Sequence, residues 1–202
     1  MNINYHKELI TLINSLDYKP KLLLHSCCGP CSTQVLSFLA LYFDITVYYY
    51  NPNIEPKEEY LKRKREQIRF IEEFKHDIKF LDCDYDNETF KEKTKGLESY
   101  KEGLSRCPTC FYLRLEQTAK KALASGFEYF GTTLTVSPYK NSKQINTLGN
   151  ILSKKYNIKY LFSDFKKDNG YKKSIELSKE YNLYRQHYCG CLYTKEAVNE
   201  HN

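Results

Sequence analysis

Lys21-Leu22-Leu23-Leu24-His25-Ser26-Cys27-Cys28-Gly29-Pro30-Cys31-Ser32 is the stretch that decides the architecture. Its first half is a compact apolar run of strand length. Its second half carries Pro30 and Ser32, which suit the first turn of a helix. Val35, Leu36, Leu39, Tyr42 and Phe43 then recur at helical spacing. A buried strand feeding a helix through a tight loop is the opening unit of an α/β sheet. Here the loop between them is made of cysteines.

The same alternation extends in both directions. Upstream, Leu9, Ile13 and Leu16 share one face of an amphipathic helix over Asn4 to Leu16. Downstream, Ile45 to Tyr50 reads as a second strand, broken by the turn Asn51-Pro52-Asn53, and a charged helix follows from Pro56 to about Lys75. Further strands are predicted over Ile78 to Cys83, Tyr129 to Thr135 and Tyr160 to Phe165. Helices are predicted over Cys107 to Ser125, Asn141 to Tyr156 and Tyr171 to Tyr184. Strands alternating with helices imply the α/β class, a parallel sheet flanked by helices. Residues 1–202 hold no repeat, low-complexity tract or linker, which predicts a single α/β catalytic domain. The least regular segment, 86–106, is expected to form a lid or insertion.

Composition narrows the class. With 41% hydrophobic residues and no apolar stretch of the roughly 20 residues that a membrane helix needs, nothing predicts a membrane partner. His6, Lys7 and Glu8 interrupt the N-terminus, which lacks the apolar core of a signal peptide, so a cytoplasmic location is expected. Lys and Arg number 31 against 25 Asp and Glu, a net charge of +6 that permits an anionic partner such as nucleic acid.

The eight cysteines are unevenly spread: Cys27, Cys28 and Cys31; Cys107 and Cys110; Cys189 and Cys191; with Cys83 alone. Clustering in a reducing compartment points to metal or redox chemistry rather than disulfide stapling. Cys107-Pro108-Thr109-Cys110 opens a helix and can direct two thiolates to one metal. Together with the first group it supplies the four thiolates of tetrahedral zinc or a [4Fe-4S] cluster. Cys189-Gly190-Cys191 can bend into a reducible disulfide or chelate a single metal. A structural zinc would leave three clustered cysteines idle. Cys83 reads as a buried structural cysteine. Because ligands of open α/β sheets sit at the carboxyl ends of the strands, the loops after strands one, two and four are expected to converge on one pocket.

Six ordered motifs resemble the QueH family of epoxyqueuosine reductases. They are Leu23 to Ser32; Tyr50-Asn51-Pro52-Asn53-Ile54; Arg106-Cys107 through Cys110 with Arg114-Leu115; Thr132 to Thr135 with Ser137-Pro138 and Lys140-Asn141; Ser163 to Lys167; and Tyr184-Arg185-Gln186 with Tyr188 to Cys191. The resemblance implies reduction of the epoxide of epoxyqueuosine, at the wobble position of tRNA, to the alkene of queuosine. It also implies a fold similar to the PP-loop and adenine-nucleotide alpha hydrolase-like group. Carried over residue by residue, Cys27, Cys28, Cys107 and Cys110 become ligands to a [4Fe-4S] cluster. Cys189 and Cys191 become either a redox-active pair or ligands to a second, mononuclear iron, with Cys31 a candidate for the second metal.

Turning an epoxide into an alkene takes two electrons and two protons and releases water, so an electron donor is implied, and proton donors as well. His25, Tyr139 and Asp164 are candidates for proton transfer or metal contact. Asn51, Asn53, Tyr60, Arg63, Lys140, Asn141, Lys166, Lys167 and Arg185 are candidates for tRNA contact, as turn, aromatic or basic residues near predicted strand ends. Two other readings compete. One is a zinc-stabilised RNA-binding module without catalysis. The other is an ATP-dependent tRNA sulfurtransferase, opposed by the absence of a Gly- and Ser-rich pyrophosphate loop after strand one.

Overall fold

The computed structural model describes residues 3–194; residues 1–2 and 195–202 of the expected 1–202 domain lie outside the described residues. The apolar run forms strand β1 (Lys21–His25), with Leu22 and Leu24 facing one core and Leu23 the other. That is the two-residue period of extended chain. A strand buried on both faces belongs at the centre of a parallel sheet. β1 pairs in parallel with β2 (Asp44–Tyr48) on one side and β4 (Tyr129–Thr132) on the other. β3 (Lys79–Leu81) and β5 (Lys159–Tyr160) complete the order β3-β2-β1-β4-β5.

Helices cover both faces, as the sequence predicts. α2 (Gly29–Leu39) packs against α3 (Lys57–Glu73) and α7 (Gly170–Glu180), and α1 (Tyr5–Asn14) adds Leu9 and Ile13 to the same core. On the opposite face α5 (Arg106–Ala124) packs against α6 (Ser142–Tyr156), and α4 (Asn87–Thr94) lies against α5. Among the described residues no helix is long and apolar enough to cross a membrane. The strand order reverses beside β1, since the chain runs out to β3 and returns on the far side as β4. At such a switch point the loops leaving adjacent strands part and open a crevice.

Four strands end earlier than their sequences predict: β2 at Tyr48 and β3 at Leu81, each two residues short, and β4 and β5 by more. β4 stops at Thr132, whose hydroxyl accepts from Leu134 N at 3.2 Å, and Thr133–Val136 coil into a 3-10 turn. Beyond β5 the Asn146 side chain does the work of a neighbouring strand: its Oδ1 accepts from Ser163 N at 3.0 Å and its Nδ2 donates to Ser163 O at 2.8 Å. The irregular segment 86–106 contains α4, capped by Asp86, and then a turn fastened by Arg106, whose guanidinium donates to the carbonyls of Leu97, Glu98 and Tyr100.

Gly149 shows how tightly α6 meets the sheet, because a Cβ there would fall inside the Tyr160 ring. Gly149→Ala gains about 1 kcal/mol of helix propensity but overpacks the core, for an expected net loss of about 1–2 kcal/mol. Thermal unfolding should show it as a midpoint lowered by roughly 2–8 °C; an unchanged midpoint would mean that the ring moves aside freely.

Candidate metal centre

The first cysteine group lies where β1 ends and α2 begins. Cys28 is the extended N-cap of α2, and Cys31 follows one turn into the helix. The three sulfurs of Cys27, Cys28 and Cys31 lie within 4.8 Å of one another, with Cys27 and Cys28 Sγ 3.8 Å apart. α3 braces this loop from behind. Ser26 Oγ donates to Gln67 Oε1 at 2.6 Å, and a Cβ on Gly29 would stand 3.2 Å from the Glu66 carbonyl. The thiols of Cys28 and Cys31 hydrogen-bond to Cys27 and hold its sulfur well below the ordinary thiol range, with help from Lys140. The same bonds push Cys28 up to about 12 and raise Cys31.

α5 forms the facing wall. Cys107, Cys110, Phe111 and Arg114 are spaced i, i+3, i+4 and i+7 and so share one helix face. Burial pushes Cys110 up to about 12 and raises Cys107 and Cys191. The third group arrives from the C-terminal segment. Six cysteines, Cys27, Cys31, Cys107, Cys110, Cys189 and Cys191, line one cavity of roughly 100 Å³ at the switch point. Arg106, Arg114 and Lys140 line it too, with Glu102 as the carboxylate of the described lining. Burial disfavours the Lys140 ammonium, but the sulfurs of Cys189, Cys27 and Cys31 outweigh it and raise its value above the ordinary one. Cys28 stands just behind the lining, its sulfur receiving Gln186 Nε2 at 3.0 Å.

All eight cysteines are free. Soft thiolate donors from three chain segments, gathered in one half-enclosed, positively charged cavity, fit a thiolate-bound metal such as zinc or an iron–sulfur centre.

The Cys189-Gly190-Cys191 loop is clamped by α3. Arg63 Nη1 donates to Cys189 O at 3.1 Å, its Nη2 to Tyr188 O at 3.3 Å and its Nε to Glu59 Oε1 at 2.7 Å. From the other side Glu55 N donates to Gly190 O at 2.9 Å. Gly190 has φ +115°, and a Cβ there would meet Ile54 Cγ1 at 2.8 Å and Arg63 Nη1 at 3.1 Å, so the turn needs glycine on both counts.

These contacts correct several sequence expectations. Tyr60 and Arg63, read as a basic, aromatic surface, are each only 1% exposed; one helix turn rotates them into the protein, where Arg63 is a bracket. Asn51 and Asn53 are buried as well, and the loop after β2 braces the site instead of lining it: Asn51 Nδ2 donates to Ser26 O at 2.8 Å. His25 is fully buried between Thr132 Oγ1 and the Tyr50 carbonyl. Burial, then the Arg114 charge, lowers its pKa to about 3, which favours the neutral imidazole. Asp164 and Lys167 line a separate cleft with Tyr5 and Ser142. Lys166 pairs with Asp164 at 3.3 Å and donates to Lys140 O. Cys83 is half-buried, its sulfur donating to Tyr49 O at 3.1 Å. Tyr139, Lys140 and Asn141 do line the cysteine cavity, and Arg185 lines the cleft beside it. Sequence reading passed over Phe90, Glu102, Arg106 and Gln186 as lining, although the helical spacing from Cys107 to Arg114 signals the α5 face.

Known proteins agree with this picture. The family model described as Epoxyqueuosine reductase QueH matches residues 22–197. A Staphylococcus epidermidis protein named Epoxyqueuosine reductase QueH is 47% identical over 200 residues, covering 95% of this chain and 84% of that protein. Its Streptococcus pyogenes namesake is 48% identical, covering 95% of this chain and 78% of its own length. At greater distance the Thermotoga maritima protein is 35% identical, covering 85% and 88%. Among solved structures, the U34-tRNA thiolase NcsA from Methanococcus maripaludis with its [4Fe-4S] cluster shares the fold, with a TM-score of 0.55 over 97% of this chain and 70% of that one at 14% identity. The stretch that the family model matches runs from β1 past the Cys189-Gly190-Cys191 loop, so every element that builds the cavity falls within it, and the chain belongs to the epoxyqueuosine reductase QueH family.

Proposed function

We propose that this protein reduces the epoxide of epoxyqueuosine, at the wobble position of tRNA, to the alkene of queuosine, in the cytoplasm and with electrons from a separate donor. The observation that carries this is the convergence of six cysteines on one cationic cavity in a chain of this family. Cys27, Cys28, Cys107 and Cys110 would hold a [4Fe-4S] cluster. Cys31, Cys189 and Cys191 would hold a second iron, or the last two would act as a redox-active dithiol. When bound, the cluster supplies single electrons, two of which, with two protons, convert the epoxide to alkene and water.

The protein's own residues do the rest. Phe90 and Phe111 give the cavity an apolar wall that keeps water from the reacting carbon atoms. Arg106, Arg114 and Lys140 place positive charge where negative charge develops on the departing oxygen. Lys140, as an ammonium in the cavity wall, would deliver a proton to that oxygen. The segment 86–106, through Glu102 and Gly103, supplies the lid.

Protein purified without air should contain iron with acid-labile sulfide. With a chemical reductant it should convert epoxyqueuosine in tRNA to queuosine, seen as loss of one oxygen in the digested nucleoside. Stoichiometric zinc without sulfide after anaerobic reconstitution, with the epoxide intact, would overturn this and favour the zinc-stabilised RNA-binding module.

A further inference from the structure

A second space of roughly 300 Å³ opens directly from the cysteine cavity, the two sharing Cys31, Tyr139, Lys140, Gln186 and Cys189 in their walls. Its outer lining adds Tyr171, Arg185, His187 and Tyr188, with Glu102 at the shared edge. The inner cavity is the smaller of the two, roughly 100 Å³. A nucleotide whose modified group reaches into it remains covalently joined to its neighbours, and the adjoining cleft is the space next to the cavity that is open to them.

We propose that this cleft holds a nucleotide adjacent to the one being reduced, its base on the faces of Tyr139 and Tyr171 and its phosphate on Lys140 and Arg185. The proposal rests on the tRNA reading above and adds the subsite. Three observations carry it. Tyr139 is 78% exposed at the junction of the two spaces, a large aromatic ring left in solvent. Unstacked RNA bases are bound on such rings and on guanidinium planes. The Arg185 guanidinium lies 5.6 Å from the Tyr171 ring centre and donates to Ser178 Oγ at 3.3 Å, which orients it beside the cleft. Gln186 donates its Nε2 to Cys28 Sγ, while its buried Oε1 has no partner among the described residues. A base amino or imino group supplies the missing donor. On this reading Tyr139 is a stacking surface and not the proton donor that its sequence position suggests.

Metal-loaded protein is titrated with a labelled anticodon stem-loop carrying epoxyqueuosine, and with RNA duplex of equal length. Tyr139→Ala and Tyr171→Ala should each weaken stem-loop binding about tenfold and leave duplex binding unchanged, whereas Tyr139→Phe, which keeps the ring, should retain most of the stem-loop affinity. Arg185→Gln should also flatten the salt dependence by about one phosphate contact. Wild-type affinity in both alanine variants, or an equal loss in Tyr139→Phe, overturns the subsite. So would slower reduction with RNA affinity intact, which would mark the cleft as a docking place for the electron donor. Weaker binding in the alanine variants, beside a wild type that leaves the epoxide unreduced, overturns the reductase reading and keeps the subsite.

Discussion

Cys27→Ala is expected to strip the centre of its metal and to lower epoxide reduction by more than about a hundredfold. Loss of partners one shell out from a metal costs about 10–100-fold, and Cys27 stands inside that shell. Its sulfur is the hub of the first group, 3.8 Å from Cys28 Sγ, and it helps to raise the Lys140 value across the cavity. Cys110→Ala should behave in the same way from the α5 side. Cys83→Ala serves as the control, because Cys83 donates to Tyr49 O and is absent from the cavity lining. Iron and sulfide per chain, measured beside the rate, decide the matter. Iron retained in full by Cys27→Ala would remove it from the ligand set. Cys31→Ala adds a finer division: loss of part of the iron with sulfide retained would assign Cys31 to the second metal.

Arg63→Gln should cost roughly 3–5 kcal/mol of stability, the price of leaving a buried partner unpaired. At 1% exposure the guanidinium has no access to water, and it satisfies three acceptors at once. Glutamine reaches fewer of them and carries no charge for Glu59. For a chain of this size the loss should appear as a midpoint lowered by roughly 6–20 °C. Arg63→Lys keeps the charge but loses the planar fork, so it should fall between the two. In the folded variant, alkylation of Cys189 and Cys191 should quicken as their loop loosens. A midpoint within a degree of wild type, with alkylation unchanged, would show that Glu55 and Ile54 hold the loop without Arg63.

Much of the fold is legible in the sequence because its signals are local. Leu22-Leu23-Leu24 and Ile45 to Tyr50 have no reading as surface helix, and Gly126, at φ +70°, ends α5 where a glycine should. The strand ends were hidden because side chains decide them. Thr132 and Asn146 replace ladder hydrogen bonds with their own, and a propensity sum over β-branched and aromatic residues does not register that. The same limit applies at the site. Lys62-Arg63-Lys64-Arg65 reads as a solvated run, yet Tyr60, Arg63, Gln67, Phe70 and Ile71 are the buried residues of α3. The spacing to Phe70 and Phe74 carried that signal, but the charge of Arg63 masked it. His25 closes β1 and Asp164 lies in the loop beyond β5, both near carboxyl ends of strands. Which way each side chain turns was not in the pattern.

The hydrogen bond from Gln186 to Cys28 closes a loop of 158 residues. On a ribosome adding about 5–20 residues per second, the C-terminal wall of the cavity emerges roughly 10–30 s after the first cysteines. Throughout that interval the Cys27 to Cys31 thiols have neither the Cys189 loop nor the Arg63 clamp to complete their surroundings. The wall of the cavity around the first cysteines is therefore completed only once the Cys189 loop has been synthesised, after all four residues proposed for the cluster.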